Sequence, residues 1–226
     1  MKKLSKRYRN NIKKINLEEC TNLYKVIKTL KKTATVKFIE SVELHANLNI
    51  NTKYQQLKTT IILPHNVNKS LKTAVLTTKE NFDDAKAADI IGNDELLTNI
   101  LNNNIHFDIL IVTPNMIPKL TQVGKILGPK GLMPSLKSGT ITNNLKETIL
   151  EFKRGKFEYK ADKTGVIHIK VGKSNFTEKQ LIENLQTLYK SFEKNRPSNI
   201  KGTYFKSLFL CTTMGPAIKL NLDMFN

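Results

Sequence analysis

The chain has 226 residues, of which 39% are hydrophobic and 25% are charged. This length and apolar content are enough for one large domain or two small ones with a real core, and they exclude wholesale disorder. Lysine and arginine number 37 against 19 acidic residues, which gives a net charge of +18 at pH 7. Because such an excess repels itself in a compact state, it predicts a polyanionic partner, either nucleic acid or an anionic membrane surface.

Several protein classes are excluded by features that the sequence lacks. No apolar run approaches the ~20 residues that span a bilayer, so no membrane segment is predicted. The two cysteines, Cys20 and Cys211, form no disulfide framework, which predicts a reducing compartment. The four histidines show no metal-ligand spacing among themselves or with the cysteines, so no metal site is expected. The basic start of the chain lacks the apolar stretch of a signal peptide.

The first clear element is a long strand over residues 36–50, in which apolar residues occupy the even positions and polar residues the odd ones. This period of two is typical of an antiparallel strand with one buried face. Glu40 interrupts the apolar face, so we expect a bend and a lapse of burial there. A second strand is predicted over residues 58–63, ended by Pro64.

From residue 70 onward, predicted strands and helices alternate. Strands are predicted over residues 71–76 and 107–112, and helices over 81–89, 94–101 and 144–153, with a break at 91–92. The run at 107–112 is continuously apolar, as in strands that are buried on both faces. A Gly/Pro-rich loop covers residues 128–140. The alternation predicts a parallel α/β unit.

After Gly155 the strand pattern returns. A hairpin is predicted from residues 157–160 and 166–171. A capping box that begins at Thr177 predicts the start of a helix, because its side chains satisfy the free N–H groups of the first turn. Two further strands are predicted over residues 204–211 and 218–222.

This order of elements predicts an α/β fold with two domains. The first is a discontinuous α+β two-layer domain with an antiparallel sheet, made from both termini, residues 1–67 and 156–226. The second is an inserted three-layer α/β domain with a parallel sheet, residues 68–155. Chain crossings near residues 66 and 155 would then form a hinge. A single fused sheet is the alternative.

No motif of enzymatic chemistry is found. Gly172, Lys173 and Ser174 resemble the end of a P-loop, but Ile167 stands where that loop needs its first glycine. The glycines near residues 124–131 lack the spacing and the strand–helix context of a dinucleotide site. No nucleophile has a base and an orienting group, so neither catalysis nor a cofactor is expected.

Basic residues supply candidate contacts to nucleic acid. The run at residues 2–14 is dense in lysine and arginine, and it suits phosphate binding. A second set would line a surface near the hinge: Lys153, Arg154, Lys156, Lys160, Lys170 and Lys173. Lys125, Lys130 and Lys137 lie on or beside the 128–140 loop, which is either a flexible solvated loop or a phosphate-facing nest for nucleic acid.

Two other features have both a structural and a functional interpretation. His168 falls on the polar face of its predicted strand, where it is either solvated or a hydrogen-bonding partner for RNA. Met214 lies in the loop between the last two strands. It either plugs the end of a core or forms an exposed apolar wedge beside Thr213 and Gly215, a glycine that lets backbone approach closely.

Several segments resemble the L-one family of large-subunit ribosomal proteins. The matches cover nearly the whole chain in the family's order, and they include VKFIESVELH at 36–45, LPH at 63–65, GKILGPKGLMP at 124–134, KGTY at 201–204 and TMGP at 213–216. The sequence departs from the family's pattern at Asn66 and Asn68, which replace glycines, at Ser135–Leu136, which replace an Asn-Pro pair, and at Lys130, where bacterial members often have arginine.

The resemblance implies a non-enzymatic ribosomal protein without a cofactor. It implies direct binding to large-subunit rRNA, a place in the mobile stalk beside the tRNA exit site, contact with departing deacylated tRNA, and repression of translation through its own mRNA. The rRNA-facing positions that the resemblance implies are Lys37, Phe38, Ser41, Glu43, His168, Ser207, Thr213, Met214 and Gly215.

The chemistry of these positions is that of an RNA interface. Lys37 would meet phosphate, and Glu43 would accept hydrogen bonds from 2′-hydroxyl or base amino groups. Phe38 and Met214 would pack against sugar or base surfaces. Two other classes stay open at this point: a nucleotide-dependent RNA-modifying enzyme that uses the α/β insert, and a general basic DNA-binding module.

The composition also indicates a source. Lysine, asparagine and isoleucine are abundant, and all three have A/T-rich codons. The resemblance begins near the first residue, so we expect no transit peptide. We therefore predict an organelle-encoded protein of the plastid ribosome, in the chloroplast stroma, with the bacterial cytoplasm as the alternative.

Overall fold

The computed structural model describes residues 4–15, 21–52, 57–67, 71–198, 200 and 202–225. The chain is a mixed α/β protein with antiparallel and parallel sheets. Its contacts divide it into two compact units. Unit 1 comprises Met1–Leu57, Leu63–Val67 and Tyr159–Asn226, and unit 2 comprises Lys58–Ile62 and Asn68–Glu158. None of the helices in the described ranges has the length and apolarity needed to cross a bilayer.

Unit 1 is built on a four-stranded antiparallel sheet. Its strands are β1 (Ser41–Leu48), β7 (Val166–Lys173), β8 (Phe205–Thr212) and β9 (Ile218–Leu220), in the order β7-β1-β8-β9. Its helices are α1 (Lys6–Lys13), α2 (Leu23–Thr33) and α7 (Glu178–Lys194). The long-range pairings of β1 with β7 and β8 bring both ends of the chain into one sheet.

One face of this sheet is covered by α2 and α7, which contact the strands and each other. The even positions of β1 are buried, as its alternation predicts. The capping box at Thr177 is present, with both of its hydrogen bonds formed to Gln180. The apolar residues of α7, among them Leu181 and Leu188, are completely buried. Burial of such side chains contributes about 1.5–3 kcal/mol each.

Unit 2 contains a three-stranded parallel sheet in the order β4-β3-β5. Its elements are β2 (Lys58–Ile61), β3 (Thr73–Leu76), α3 (Phe82–Ala85), β4 (Ile90–Gly92), α4 (Asp94–Leu101), β5 (Ile109–Val112), α5 (Ile117–Leu127) and α6 (Leu145–Lys153). A further strand, β6 (Phe157–Lys160), pairs with β2 in a separate two-stranded sheet. The strands of the described ranges lie in three sheets, so no single fused sheet forms there.

Both faces of the parallel sheet are covered. Leu110 and Val112 belong to a hydrophobic cluster with residues of α4 and α5, whereas Ile111 belongs to a second cluster with residues of α3 and α6. The continuous apolar run therefore has the predicted cause, since successive residues on a strand point to opposite faces.

Several sequence predictions of local structure are wrong, and the helix predicted over residues 81–89 is limited to α3 (Phe82–Ala85). The strand predicted over residues 36–50 is limited to β1, and Glu40, where we expected a lapse, is buried. The break predicted at residues 91–92 is β4, because its backbone pairs with β3. The predicted hairpin does not form, since β6 pairs with β2 and β7 with β1. One isolated bridge, Ala161 to Ile167, joins the two segments.

Two helices, α1 and α2, lie in the basic N-terminal part for which the sequence predicted no structure. The side chain of Asn22 caps α2 by accepting from the Lys25 N–H at 2.9 Å. Asn11 of α1 is buried, and its amide donates to the Thr33 carbonyl at 2.9 Å. This bond joins α1 to the end of α2.

Candidate nucleic-acid interface

The face of the four-stranded sheet opposite α2 and α7 carries partly exposed side chains, and we call it the open face. Its members are Ser41, Glu43, His45, Asn47, His168, Lys170, Ser207, Phe209, Cys211 and Lys219. Directly opposite residues of antiparallel strands point to the same face. The register therefore places Lys170, Glu43 and Cys211 in one row. His168, His45 and Phe209 form the next row.

The middle of the open face holds a connected cluster of titratable side chains. His45 Nδ1 lies 2.7 Å from His168 Nδ1, and His45 Nε2 lies 3.2 Å from Cys211 Sγ. Glu43 Oε2 is 3.9 Å from His45 Nε2, and Asp162 Oδ2 is 3.9 Å from His168 Nε2. Because two nitrogens in hydrogen-bond contact need one proton between them, one ring donates and the other accepts.

The surroundings of this cluster change its protonation. Burial lowers the pKa of His45, and the nearby His168 lowers it further, while Glu43 acts in the opposite direction. Burial raises the pKa of the Cys211 thiol to about 11, with contributions from the charges of Glu43 and Glu40. At neutral pH the open face therefore presents a neutral His45 and a protonated thiol.

The loop of residues 213–217 between β8 and β9, here the β8–β9 loop, is tied to the start of β1. Thr213 Oγ1 accepts from the Ser41 N–H at 3.0 Å, and the Thr213 N–H donates to the Ser41 carbonyl at 3.0 Å. The Met214 N–H donates to Glu40 Oε2 at 2.8 Å. This last bond gives one oxygen of the buried Glu40 carboxylate a partner, where the strand pattern predicted a lapse of burial.

Gly215 is required for the shape of this loop. A Cβ atom at this position would collide with Thr212 Oγ1, and it would lie 3.3 Å from Thr33 Oγ1. The glycine therefore lets the loop fold closely over the end of the sheet.

Exposed apolar side chains lie beside these contacts. Phe38 is 56% exposed, Ile39 60% and Met214 44%. Lys37 is exposed next to them. Met214 does not plug a core, so the structural interpretation of its loop is wrong.

All nine residues predicted to face rRNA lie in unit 1. Ser41, Glu43, His168 and Ser207 are on the open face, Thr213, Met214 and Gly215 are in the β8–β9 loop, and Lys37 and Phe38 precede β1. Their common location is a property of the structure, and their role in binding stays a prediction. Sequence reasoning missed His45, Lys170, Phe209, Cys211 and Lys219 as members of the same face. The odd positions of the 36–50 alternation, which include His45, were the available signal.

The predicted contact loop of unit 2 is built differently from the open face of unit 1. Lys125, in the last turn of α5, and Lys137 are exposed. Lys130 donates to Asn103 Oδ1 at 2.6 Å. The loop is shaped by hydroxyl groups, since Ser135 Oγ lies 2.7 Å from Ser138 Oγ and the Ser135 N–H donates to Thr140 Oγ1 at 2.8 Å. It is therefore an ordered loop that carries exposed charges.

Two lysines of the second basic set are paired with acidic side chains rather than free. Lys153 pairs with Asp89 at 3.4 Å and Lys156 with Glu151 at 2.7 Å, both within unit 2. Lys170 belongs to the open face of unit 1 instead. The N-terminal run is in part the helix α1, and its first two residues lie outside the described ranges.

Comparisons with known proteins agree with this architecture. The model of the Ribosomal protein L1p/L10e family matches residues 30–216. A large ribosomal subunit protein uL1c of Phaeodactylum tricornutum is 57% identical over 229 residues, which cover 100% of both chains. A uL1c of Rhodomonas salina is 46% identical over 232 residues, covering 100% of this chain and 97% of that protein. A uL1 of Prochlorococcus marinus (strain AS9601) is 45% identical over 227 residues, covering 99% and 96%.

The chain therefore belongs to the ribosomal protein L1p/L10e family. It is a structural, non-enzymatic constituent of the large ribosomal subunit, of the bacterial and plastid type. The RNA-modifying enzyme considered from the sequence is thereby excluded. The plastid-type and cyanobacterial relatives agree with the predicted plastid ribosome and with its bacterial alternative.

Proposed function

We propose that this chain binds large-subunit rRNA directly through the open face and the β8–β9 loop of unit 1. The observation that carries the proposal is the joint exposure of Phe38 and Met214 in two segments that Glu40 and Ser41 tie together. Exposed apolar side chains beside hydroxyl and charged groups suit RNA, whose sugars and unstacked bases offer both apolar and polar surfaces.

Each group of this surface has a distinct part in the proposed contact. Lys37 meets phosphate, and Phe38 and Met214 pack on sugar or base surfaces. Glu43 faces Lys170 across the strands. Its carboxylate accepts hydrogen bonds from 2′-hydroxyl or base amino groups, because phosphate alone would repel it. Ser41, Ser207 and His168 add hydrogen-bonding groups at fixed positions in the sheet.

We further propose that the bound protein forms the mobile stalk beside the tRNA exit site and assists the release of deacylated tRNA. The candidate contacts to that tRNA are the exposed Lys125 at the end of α5, together with Lys130 and Lys137 on the ordered loop of unit 2. The surface that binds rRNA is also the one that would bind the chain's own mRNA and repress its translation.

The domain assignment is part of this proposal. We infer that residues 1–67 and 156–226 form the two-layer rRNA-binding domain and that residues 68–155 form the three-layer insert. The division of contacts into two units supports this assignment. The units differ from it in grouping Lys58–Ile62 and residues 156–158 with the insert.

The test compares one exposed apolar side chain in each unit. Met214→Asp removes a contact and adds a negative charge, so we expect the Kd for the cognate rRNA fragment to rise at least ~30-fold, as for an interface hot spot. Leu136→Asp makes the same change at a side chain that is 75% exposed in unit 2. We expect less than ~3-fold there, because Leu136 is not part of the proposed rRNA-binding surface and side chains outside an interface contribute little to affinity. Filter binding with circular dichroism of both variants measures the two effects.

Three further arms define the outcome. Met214→Ala removes the side chain without adding charge. If the methionine side chain itself contacts RNA, this variant should still show part of the loss of rRNA affinity. Lys37→Ala reduces the slope of log K against log salt by about 0.7–0.9, the effect of one phosphate contact. Duplex DNA of equal length does not compete. Wild-type affinity in Met214→Asp and Phe38→Ala, or equal competition by DNA, contradicts the proposed function.

A further inference from the structure

The middle of the open face has the ligand chemistry of a metal site. One ligand atom each from Glu43, His45 and Cys211 lies within 4.8 Å of the others, and this is the one such group of three side chains in the described ranges. Thiolate, imidazole and carboxylate are the ligands that zinc takes in proteins. We propose that Glu43, His45 and Cys211 bind a zinc ion, with the fourth coordination position open to solvent.

The backbone fixes the three ligands in place. Glu43 and Cys211 are directly opposite each other on β1 and β8, and His45 is two residues further along β1 on the same face. Opposite residues of this kind have Cβ atoms about 4.5–5.5 Å apart. The ligands therefore project from paired strands rather than from flexible loops, which lowers the entropy that binding must remove.

The distances are those of a site that needs small side-chain movements. In a tetrahedral zinc site, bonds of about 2.0–2.3 Å place neighbouring ligand atoms roughly 3.3–3.7 Å apart. His45 Nε2 is 3.2 Å from Cys211 Sγ and 3.9 Å from Glu43 Oε2. The first distance is slightly shorter than that range, and the second is slightly longer. The metal displaces the thiol proton, which leaves to solvent when the Zn–S bond forms.

The other nitrogen of His45 is already oriented as a zinc ligand requires. With Nε2 on the metal, Nδ1 carries the proton and donates to His168 Nδ1 at 2.7 Å. His168 then carries its own proton on Nε2, which faces Asp162 Oδ2 at 3.9 Å. Ligating histidines in proteins nearly always donate their second N–H to such a partner, which fixes the ring and its tautomer. His168 is thus a positioning residue for the site.

This inference revises the sequence-based expectation of no metal site. His45 and Cys211 are 166 residues apart in the chain, and spacing along the sequence detects no such pair. The site lies on the face that we assign to rRNA, so a bound ion and bound rRNA compete for it. The competition rests on the proposed function, but the zinc site itself does not.

The test titrates the RNA-free full chain with Co²⁺, which reports thiolate ligation by a charge-transfer band. We expect one equivalent to bind, Zn²⁺ to displace it, and the band to be lost in Cys211→Ser. Cys20→Ser, at the other cysteine of the sequence, keeps the band. His45→Ala raises the Kd for Co²⁺ by at least ~10-fold. His168→Leu raises it ~10–100-fold without loss of the thiolate band, and His168→Gln, which restores an acceptor, recovers part of the affinity.

Absence of a thiolate band in the wild type overturns the inference, as does a band that survives in Cys211→Ser or an affinity unchanged in His45→Ala. Circular dichroism shows whether each variant is folded. The rRNA-binding assay is run in parallel with a chelator. Binding of rRNA in the chelator together with no cobalt band refutes the zinc site alone, whereas loss of rRNA specificity with an intact band refutes the proposed function alone.

Discussion

The two larger sheets of this chain differ in the number of faces that they bury. In the parallel sheet of unit 2, neighbouring residues along β5 enter different hydrophobic clusters, so both faces are covered. In the antiparallel sheet of unit 1, successive residues of β1 are alternately buried and half-exposed. The first sheet is enclosed by helices, and the second keeps one face for side chains that meet solvent or a partner.

This difference determines where binding groups can lie. A sheet that is covered on both faces offers a partner only its loops, and in unit 2 the exposed Lys125 and Lys137 lie at a helix end and on a loop. A sheet with one open face presents side chains whose spacing is fixed by strand register. The polar cluster around His45 and the tied β8–β9 loop are both products of that register.

The largest expected effect is the loss of stability when neighbouring residues of one strand are replaced by alanine, and its pattern should differ between the two sheets. Leu110→Ala and Ile111→Ala should each reduce the free energy of opening of β5 by about 2–5 kcal/mol, because both side chains are buried. In β1, Leu48→Ala should cost a similar amount, whereas Asn47→Ala on the open face should cost less than about 0.5 kcal/mol. Hydrogen exchange of the amides in each strand measures these losses.

The pairs serve as controls for each other. Similar losses at Asn47 and Leu48 would mean that the open face is covered in solution. A small loss at either Leu110 or Ile111 would contradict the two-sided core of unit 2.

Replacing a glycine with alanine should have a smaller effect on stability, and the effect should be destabilising in unit 1 and stabilising in unit 2. Gly215→Ala places a methyl group against Thr212 Oγ1, and we expect it to cost about 1–3 kcal/mol of stability. Gly124→Ala, within α5 of unit 2, meets no atom closer than Met133 Cε at 4.0 Å. This second substitution should stabilise by about 0.5–1 kcal/mol, since alanine restricts the unfolded chain and favours helix.

Urea unfolding of the wild type and the two variants measures the loss of stability in Gly215→Ala and the gain in Gly124→Ala. A stabilising Gly215→Ala would show that the β8–β9 loop does not approach Thr212 as closely as the structure indicates.

Local periodicity and capping patterns predicted the features that a single segment carries by itself, whatever its partners are. The burial phase of β1, the bounds of α4 and the capping box of α7 are confirmed for this reason. Helix α2 was not predicted, although Leu23, Val26, Ile27 and Leu30 have helical spacing.

Long-range strand pairing accounts for the features that sequence reasoning could not predict. Glu40 violates the apolar pattern because its partner, the Met214 N–H, comes from the opposite end of the chain. The predicted hairpin failed since β6 and β7 have partners elsewhere. For the same reason, no local pattern joins His45 to Cys211. Family resemblance, rather than physical pattern, supplied Ser207 as a candidate site residue.

The smallest expected effect concerns acid stability, and it is confined to unit 2. The Thr73 N–H, which donates to Asp89 Oδ2 at 2.8 Å, holds the pKa of that carboxyl below its usual value, and Lys153 adds to the effect. Because the folded pKa is depressed, the stabilisation is present above about pH 4 and is lost as pH falls through the folded pKa. As the pH falls, the amides of β3 should lose hydrogen-exchange protection. Asp89→Asn should reduce this loss and leave the protection of β1 unchanged.

Asp83→Asn is the matched control for this prediction. The pKa of Asp83 is lowered by a hydrogen bond and charge from Lys86, and this ion pair is fully exposed to solvent. At about 0.5 M salt its contribution is screened, whereas the backbone hydrogen bond to Asp89 is not. High salt should therefore abolish the effect of Asp83→Asn and preserve that of Asp89→Asn. Equal sensitivity of the two variants to salt would mean that Lys153, rather than the Thr73 amide, sets the acid response of the parallel sheet.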